Sequence, residues 1–98
     1  MYFLNLHTHR KPQLTDEKVI RNAFVFDRSK LVPLPYFLSC GIHPWLINIH
    51  WIDQLLKLEN NLQNISQVIA VGECGLDRIK GAEWKLQLEV FDAHIQLA

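Results

Sequence analysis

The chain has 98 residues, 49% of them hydrophobic and 20% charged, so it carries one packed domain rather than two, and its composition excludes a disordered polypeptide. Ten basic and ten acidic residues cancel, which excludes a polybasic tail for nucleic acid or anionic lipid. The halves differ (residues 1–49 hold six Lys/Arg against three Asp/Glu, residues 50–98 four against seven), but too diffusely to name a partner. No stretch reaches the ~18 apolar residues of a membrane span. The opening MYFLNLHTHR lacks a basic start, and His7 and His9 break its short apolar run, so it does not read as a secretory signal. Cys40 and Cys74 form no CxxC and read as reduced thiols of a cytoplasmic protein.

In chain order, Tyr2–Leu6 reads as a short strand. Val19–Phe26 is ambiguous; a short helix start over Thr15–Glu17 followed by a strand is the favoured reading. After a turn at Pro33–Leu34–Pro35, Tyr36–Ile42 reads as a strand ending at His43–Pro44. Trp51–Leu62 is helical, with Ile52, Leu55, Leu56 and Leu62 on one face. Gln67–Gly72 is a continuous apolar run, as expected of a strand covered on both faces. Ala82–Ala98 is the clearest helix, with Trp84, Leu88, Phe91 and Ile95 in one stripe that should face the core. The order β, (α)β, β, α, β, α predicts an α/β fold with a parallel sheet, read as one domain over residues 1–98. About four strands do not close a (β/α)₈ barrel, which takes ~250 residues. The last helix carries no stop signal, which favours the front part of something larger over a small open sheet.

Three places offer chemistry, each where a strand is about to end. In His7-Thr8-His9 the i, i+2 spacing turns both imidazoles to one side, where they can share a cation; the alternative is two polar residues on an edge strand. In Gly72-Glu73-Cys74-Gly75-Leu76-Asp77 an apolar strand delivers a carboxylate that needs a partner. A metal ion would serve, and so would Arg78 or Lys80 in a turn. Asp77 reads as a turn or capping residue before it reads as a ligand. In Gly41-Ile42-His43-Pro44-Trp45 the proline biases His43 to an extended backbone at the strand end. Residue types alone leave His43 as an ordinary exposed histidine or a cleft residue. Arg10 and Lys11 read as solvated charge, with phosphate contact the alternative. Trp45 and Trp51 read as packing for the first helix, Cys40 and Cys74 as small fillers, and His50 and His94 carry no motif.

HTH near the start, GIHPW in the middle and VGECGLD later, in that order and followed by Gln87, Phe91 and Leu97-Ala98, resemble the TatD family of metal-dependent hydrolases. The likeness runs from residue 1 to residue 98 and corresponds to roughly the first 40% of a ~250-residue barrel. It implies a TIM barrel with a two-metal site and deoxyribonuclease-like hydrolysis, by a metal-bound hydroxide, of DNA or another phosphodiester. It also implies His7 and His9 on one metal, Glu73 bridging two, and His43 and Asp77 as substrate-facing or supporting residues. Zinc, manganese, nickel and magnesium all suit the mixed N/O donors. Three departures stand out: Asn5 replaces the acid of the usual Asp-x-His-x-His, Arg10 and Lys11 follow the pair, and Arg78-Ile79 stand after GLD where aromatic residues are common. The family's later metal ligands are absent from this sequence. The competing expectation is therefore a non-catalytic module that self-associates through an open barrel edge or pairs with a separate C-terminal piece. Other HxH hydrolases, of the PHP or amidohydrolase type, fit GIHPW and GECGLD poorly.

Overall fold

The computed structural model describes residues 3–13, 16–25 and 36–98, with Phe3 described in its backbone alone. Strand β1 (Phe3–Thr8) is followed by β2 (Glu17–Phe24), β3 (Phe37–Gly41), helix α1 (Trp51–Asn64), β4 (Val68–Val71) and helix α2 (Trp84–Leu97), with a 3-10 turn over Pro44–Leu46. All three pairings are parallel, in the order β1-β2-β3-β4. This is the α/β arrangement expected from the alternation of apolar runs and amphipathic stretches, and it matches the leading part of a (β/α)₈ barrel. The helix start expected over Thr15–Glu17 does not form where it can be followed. Asp16 is a turn residue and Glu17 opens β2, while Thr15, Phe26 and the Pro33–Pro35 turn lie outside the described residues.

One face of the sheet meets the helices. Val19, Leu38, Cys40, Ile42 and Val68 pack there with Leu58 of α1 and Val90 of α2. Register places Leu4, Phe37 and Ile69 on the opposite face, where they are 72%, 55% and 52% exposed. The expectation that β4 is covered on both faces is therefore corrected. Val68 is buried and Ile69 is open, because no second layer lies over that face among the described residues.

The helix faces also differ from the hydrophobic stripes. On α1 Leu58 and Asn61 are buried, with Trp51, Leu55 and Leu62 half-buried against the core, while Ile52 and Leu56 face outward. On α2 the buried residues are Gln87, Val90 and His94, while Leu88 and Ile95 of the expected stripe are exposed. The reason is that two polar side chains make hydrogen bonds inside. His94 Nε2 accepts the Ile42 N–H at 2.9 Å, and its Nδ1 lies 2.8 Å from the Val90 carbonyl. The accepted bond fixes the lone pair on Nε2 and puts the proton on Nδ1, so His94 is held neutral and ties α2 to the end of β3. Asn61 Nδ2 reaches the Cys40 sulfur at 3.8 Å. Burial pushes the Cys40 thiol up to about 11, against opposing hydrogen bonds from Asn61 and the Gly41 backbone, which keeps it an inert filler.

Burial holds the His94 imidazole below its ordinary value, opposed by the Val90 carbonyl. Its neutral form is native, so the unfolded chain binds more protons just below pH ~6.5, and stability falls as pH drops through that value. The denaturation midpoint of the wild type should therefore fall between pH 7.5 and pH 5.5 more steeply than that of His94→Gln, which keeps an acceptor for Ile42 but does not titrate. Equal slopes for the two proteins would show that His94 contributes nothing to the pH dependence.

Candidate metal centre

The chemistry-bearing residues gather at the carboxyl end of the sheet. Along β1, Asn5 pairs with Val19 but Thr8 pairs with Arg21, so three steps on β1 match two on β2. This one-residue irregularity exchanges the faces, because side chains alternate along a strand. Before it, Leu4 shares the open face; after it, His7 and His9 do, while Thr8 is buried on the helix side. The HxH pair thus points away from the helices and across the sheet.

Glu73 comes from the other end of the strand order, two residues beyond β4. Its Oε2 lies 3.7 Å from His7 Nε2 and 3.2 Å from His9 Nε2, and its Oε1 lies 3.5 Å from His43 Nε2. One ligand atom from each of His7, His9 and Glu73 falls within 4.8 Å of the others. Two imidazoles and a carboxylate this close are a donor set that zinc, manganese or nickel accepts. The turn reading that paired Glu73 with Arg78 or Lys80 is not what the structure contains, since those cations sit over the rings of Trp84 and Trp45.

The backbone around Glu73 is tightly held. The Gly72–Glu73 peptide is cis. Asn22 Oδ1 accepts the Glu73 N–H at 2.6 Å and the Ser39 hydroxyl at 3.2 Å, joining β2, β3 and the end of β4. Asn22 Nδ2 is buried and has no hydrogen-bond partner among the described residues. Gly41 lies so close that a Cβ there would meet the Glu73 carbonyl oxygen at 2.6 Å. Sequence reasoning missed Asn22; it stands among the charged and apolar residues of β2, and nothing in that strand's pattern marked it out.

His43 caps the 3-10 turn, and its Nδ1 accepts the Trp45 N–H at 3.1 Å. The proton of the neutral ring is then on Nε2, the atom facing Glu73, so in this state His43 is a donor there and not a ligand. Asp77 is a turn residue. Its Oδ1 accepts the Ile79 and Lys80 amides at 2.8 and 3.0 Å, and its Oδ2 accepts the Trp45 indole N–H at 2.8 Å. That indole bond, then the two amides, hold the Asp77 carboxyl below the usual carboxylate range, with His43 adding a smaller pull. Trp45 is half exposed and lies against His43 and Lys80, which corrects the expectation that it packs α1; Trp51 does pack the core. Gln87 closes the loop from below. Its Oε1 accepts the Asp77 N–H, and its Nε2 donates to the Asp77 and Ala82 carbonyls.

Asn5, in place of an acid, donates to Glu17 at 3.4 Å. Arg10 and Lys11 are exposed. Burial raises the Cys74 thiol, and the neighbouring Glu73 charge raises it further, so it remains a thiol rather than a thiolate ligand.

Two substitutions probe this geometry. Gly41→Ala should cost about 1–3 kcal/mol in denaturant unfolding, because the clash is with backbone. It should also weaken divalent-metal binding by displacing Glu73. Glu73→Gln should lower zinc or manganese affinity, by titration calorimetry, at least as much as the ~10–100-fold lost when a ligand's supporting partner is removed. Unchanged affinity would exclude Glu73 from the centre.

Comparisons with known proteins converge on one family. A family model described as TatD related DNase matches residues 13–98. A protein of Buchnera aphidicola subsp. Acyrthosiphon pisum (strain APS), named as a metal-dependent hydrolase, is 33% identical over an alignment of 96 positions that covers 92% of this chain and 36% of that protein. The chain thus spans about a third of the length of that relative. No solved structure matches it. With the family model covering most of the sequence, the chain belongs to the family of TatD-related DNases.

Proposed function

We propose that the protein is a metal-dependent hydrolase of phosphodiester bonds, with DNA as the favoured substrate class. The observation that carries this reading is the convergence of His7, His9 and Glu73 within 4.8 Å at one rim of the sheet. Family membership and the name of the Buchnera relative support hydrolysis. The free cysteines, one of them buried, suit a cytoplasmic setting.

In this reading His7, His9 and Glu73 hold the divalent metal. Glu73 turns Oε2 to the imidazole pair and Oε1 to the His43 Nε2–H, so Oε2 is the oxygen that would share a cation with His7 and His9. When bound, such a cation supplies Lewis acidity toward a phosphoryl oxygen and an acidified water. The residues of this chain do the rest. The Gly72–Glu73 segment, fixed by Asn22, holds the carboxylate in place. His43 offers an Nε2–H to an oxygen at the centre, with its ring orientation set by the Trp45 amide. Asp77 fixes the loop beside it rather than touching the metal.

The test uses protein from the complete reading frame. Single-stranded DNA should be hydrolysed in the presence of Mg²⁺, Mn²⁺ or Zn²⁺, and Glu73→Gln should lose about a hundredfold or more in rate. No turnover by a protein shown to hold its metal would end the nuclease reading. A second reading, a non-catalytic module that associates with another chain or with itself, is favoured by the exposure of Leu4, Phe37 and Ile69 on one sheet face. It predicts concentration-dependent mass in sedimentation, with metal binding but no hydrolysis.

A further inference from the structure

The loop beyond the metal-binding residues carries an arrangement that the hydrolytic chemistry does not use. Trp45 is 50% exposed, yet it is not loose. Its indole N–H is bonded to Asp77 at 2.8 Å, its backbone N–H to His43, and its ring lies 5.1 Å from the His43 ring. The segment carrying Asp77 is latched to it a second time. A Cβ on Gly81, whose φ is +104°, would meet the Pro44 carbonyl oxygen at 2.7 Å, and Gln87 clamps residues 77–82 from beneath. A half-exposed indole costs hydration and here has no core to fill. What the network does is fix its orientation, and an ordered aromatic face gives up little entropy when a flat ring settles on it.

The second component is Lys80. Its ammonium sits 3.9 Å from the centre of the Trp45 ring, among exposed neighbours. A cation resting on an open indole face is held weakly by the ring and is free to move to a stronger anion. One histidine ring separates this pair from Glu73, since His43 Nε2 is 3.5 Å from the carboxylate on one side and the ring touches Trp45 on the other. Ammonium, indole and His43 ring therefore form a chain of contacts that ends at Glu73. A ligand that matches this chain carries a flat ring, an adjoining phosphate and a phosphodiester one step further on.

We propose that Trp45 and Lys80 form a nucleotide subsite beside the metal centre, in which the indole takes one unstacked nucleobase and the ammonium takes its phosphate. The inference rests on the phosphodiesterase reading for the identity of the neighbouring bond, and it adds what that reading lacks, a requirement for a base at a defined place. A base still paired and stacked in duplex cannot reach the indole, so single strands and frayed ends are the expected ligands.

Binding without catalysis separates the two ideas. Protein from the complete reading frame, in EDTA, is titrated against a fluorescent oligothymidylate and against an abasic oligomer of equal length. The wild type should bind the oligothymidylate roughly tenfold more tightly than the abasic strand, the range that base–aromatic stacking supplies. Trp45→Leu should lose that difference, whereas Trp45→Phe, which keeps a ring and gives up the Asp77 bond, should keep most of it. Lys80→Gln leaves the ring in place and should reduce the slope of log K against log salt by about 0.7. The subsite is overturned if the wild type does not distinguish the two strands, if Trp45→Leu still does, or if the salt slope survives Lys80→Gln. Base-dependent binding without metal-supported cleavage would refute the nuclease reading alone, and cleavage indifferent to the base would refute the subsite alone.

Discussion

Glu73 meets the imidazoles of His7 and His9 although β4 and β1 stand at opposite ends of the strand order. In a flat sheet three inter-strand gaps of about 4.8 Å would keep those strands ~14 Å apart with their side chains standing perpendicular to the sheet, not aimed along it at each other, whereas His9 and Glu73 approach to 3.2 Å. The rim therefore has to curl, and the curl is what makes a centre out of residues scattered along the chain. The other local devices serve this geometry. Gly41 lets the end of β3 pass against the Gly72–Glu73 backbone, Asn22 accepts the Glu73 amide from β2, and α2 holds the end of β3 through His94. A sheet that relaxed toward flatness would keep every strand and lose the site.

The element order and the three motif positions were legible because they depend on local pattern. Apolar runs closed by glycine or His-Pro mark the strand ends at Gly41 and Val71, and chemistry at strand ends is where an α/β sheet collects it. The helix faces were less legible. Hydrophobic spacing selected Trp84, Leu88, Phe91 and Ile95, but the buried side of α2 is set by Gln87, Val90 and His94. A stripe read from hydrophobicity assumes that polar residues face water. Here Gln87 bonds to four backbone groups and His94 to two, and those bonds turn the helix by about one residue.

The candidate site was legible in its donor types and not in the residues that support them. His7, His9 and Glu73 carry recognisable donors, whereas Asn22 looks like an ordinary polar residue until β3 and β4 are in place around it. Residue type gave Asp77 a turn role, which its amide bonds match, while family likeness placed it near substrate. Its bond to Trp45 ties that turn to the segment that carries His43. Trp45 was assigned to packing because large aromatic residues are mostly buried. What its sequence position hid was a partner 32 residues away that holds it at the surface.

The irregular step in β1 has an evolutionary corollary. Between Asn5 and Thr8 the strand holds one residue more than β2 opposite it. Removing that residue would leave a regular ladder in which Thr8 still meets Arg21 and both imidazoles keep the open face, whereas smoothing the step without removing it would slide His7 opposite Arg21, toward the helix layer and away from the carboxylate. What this segment has to preserve is therefore the register that sets Thr8 against Arg21, together with the His7 imidazole, and a change in its length is harmful only where it upsets that pairing.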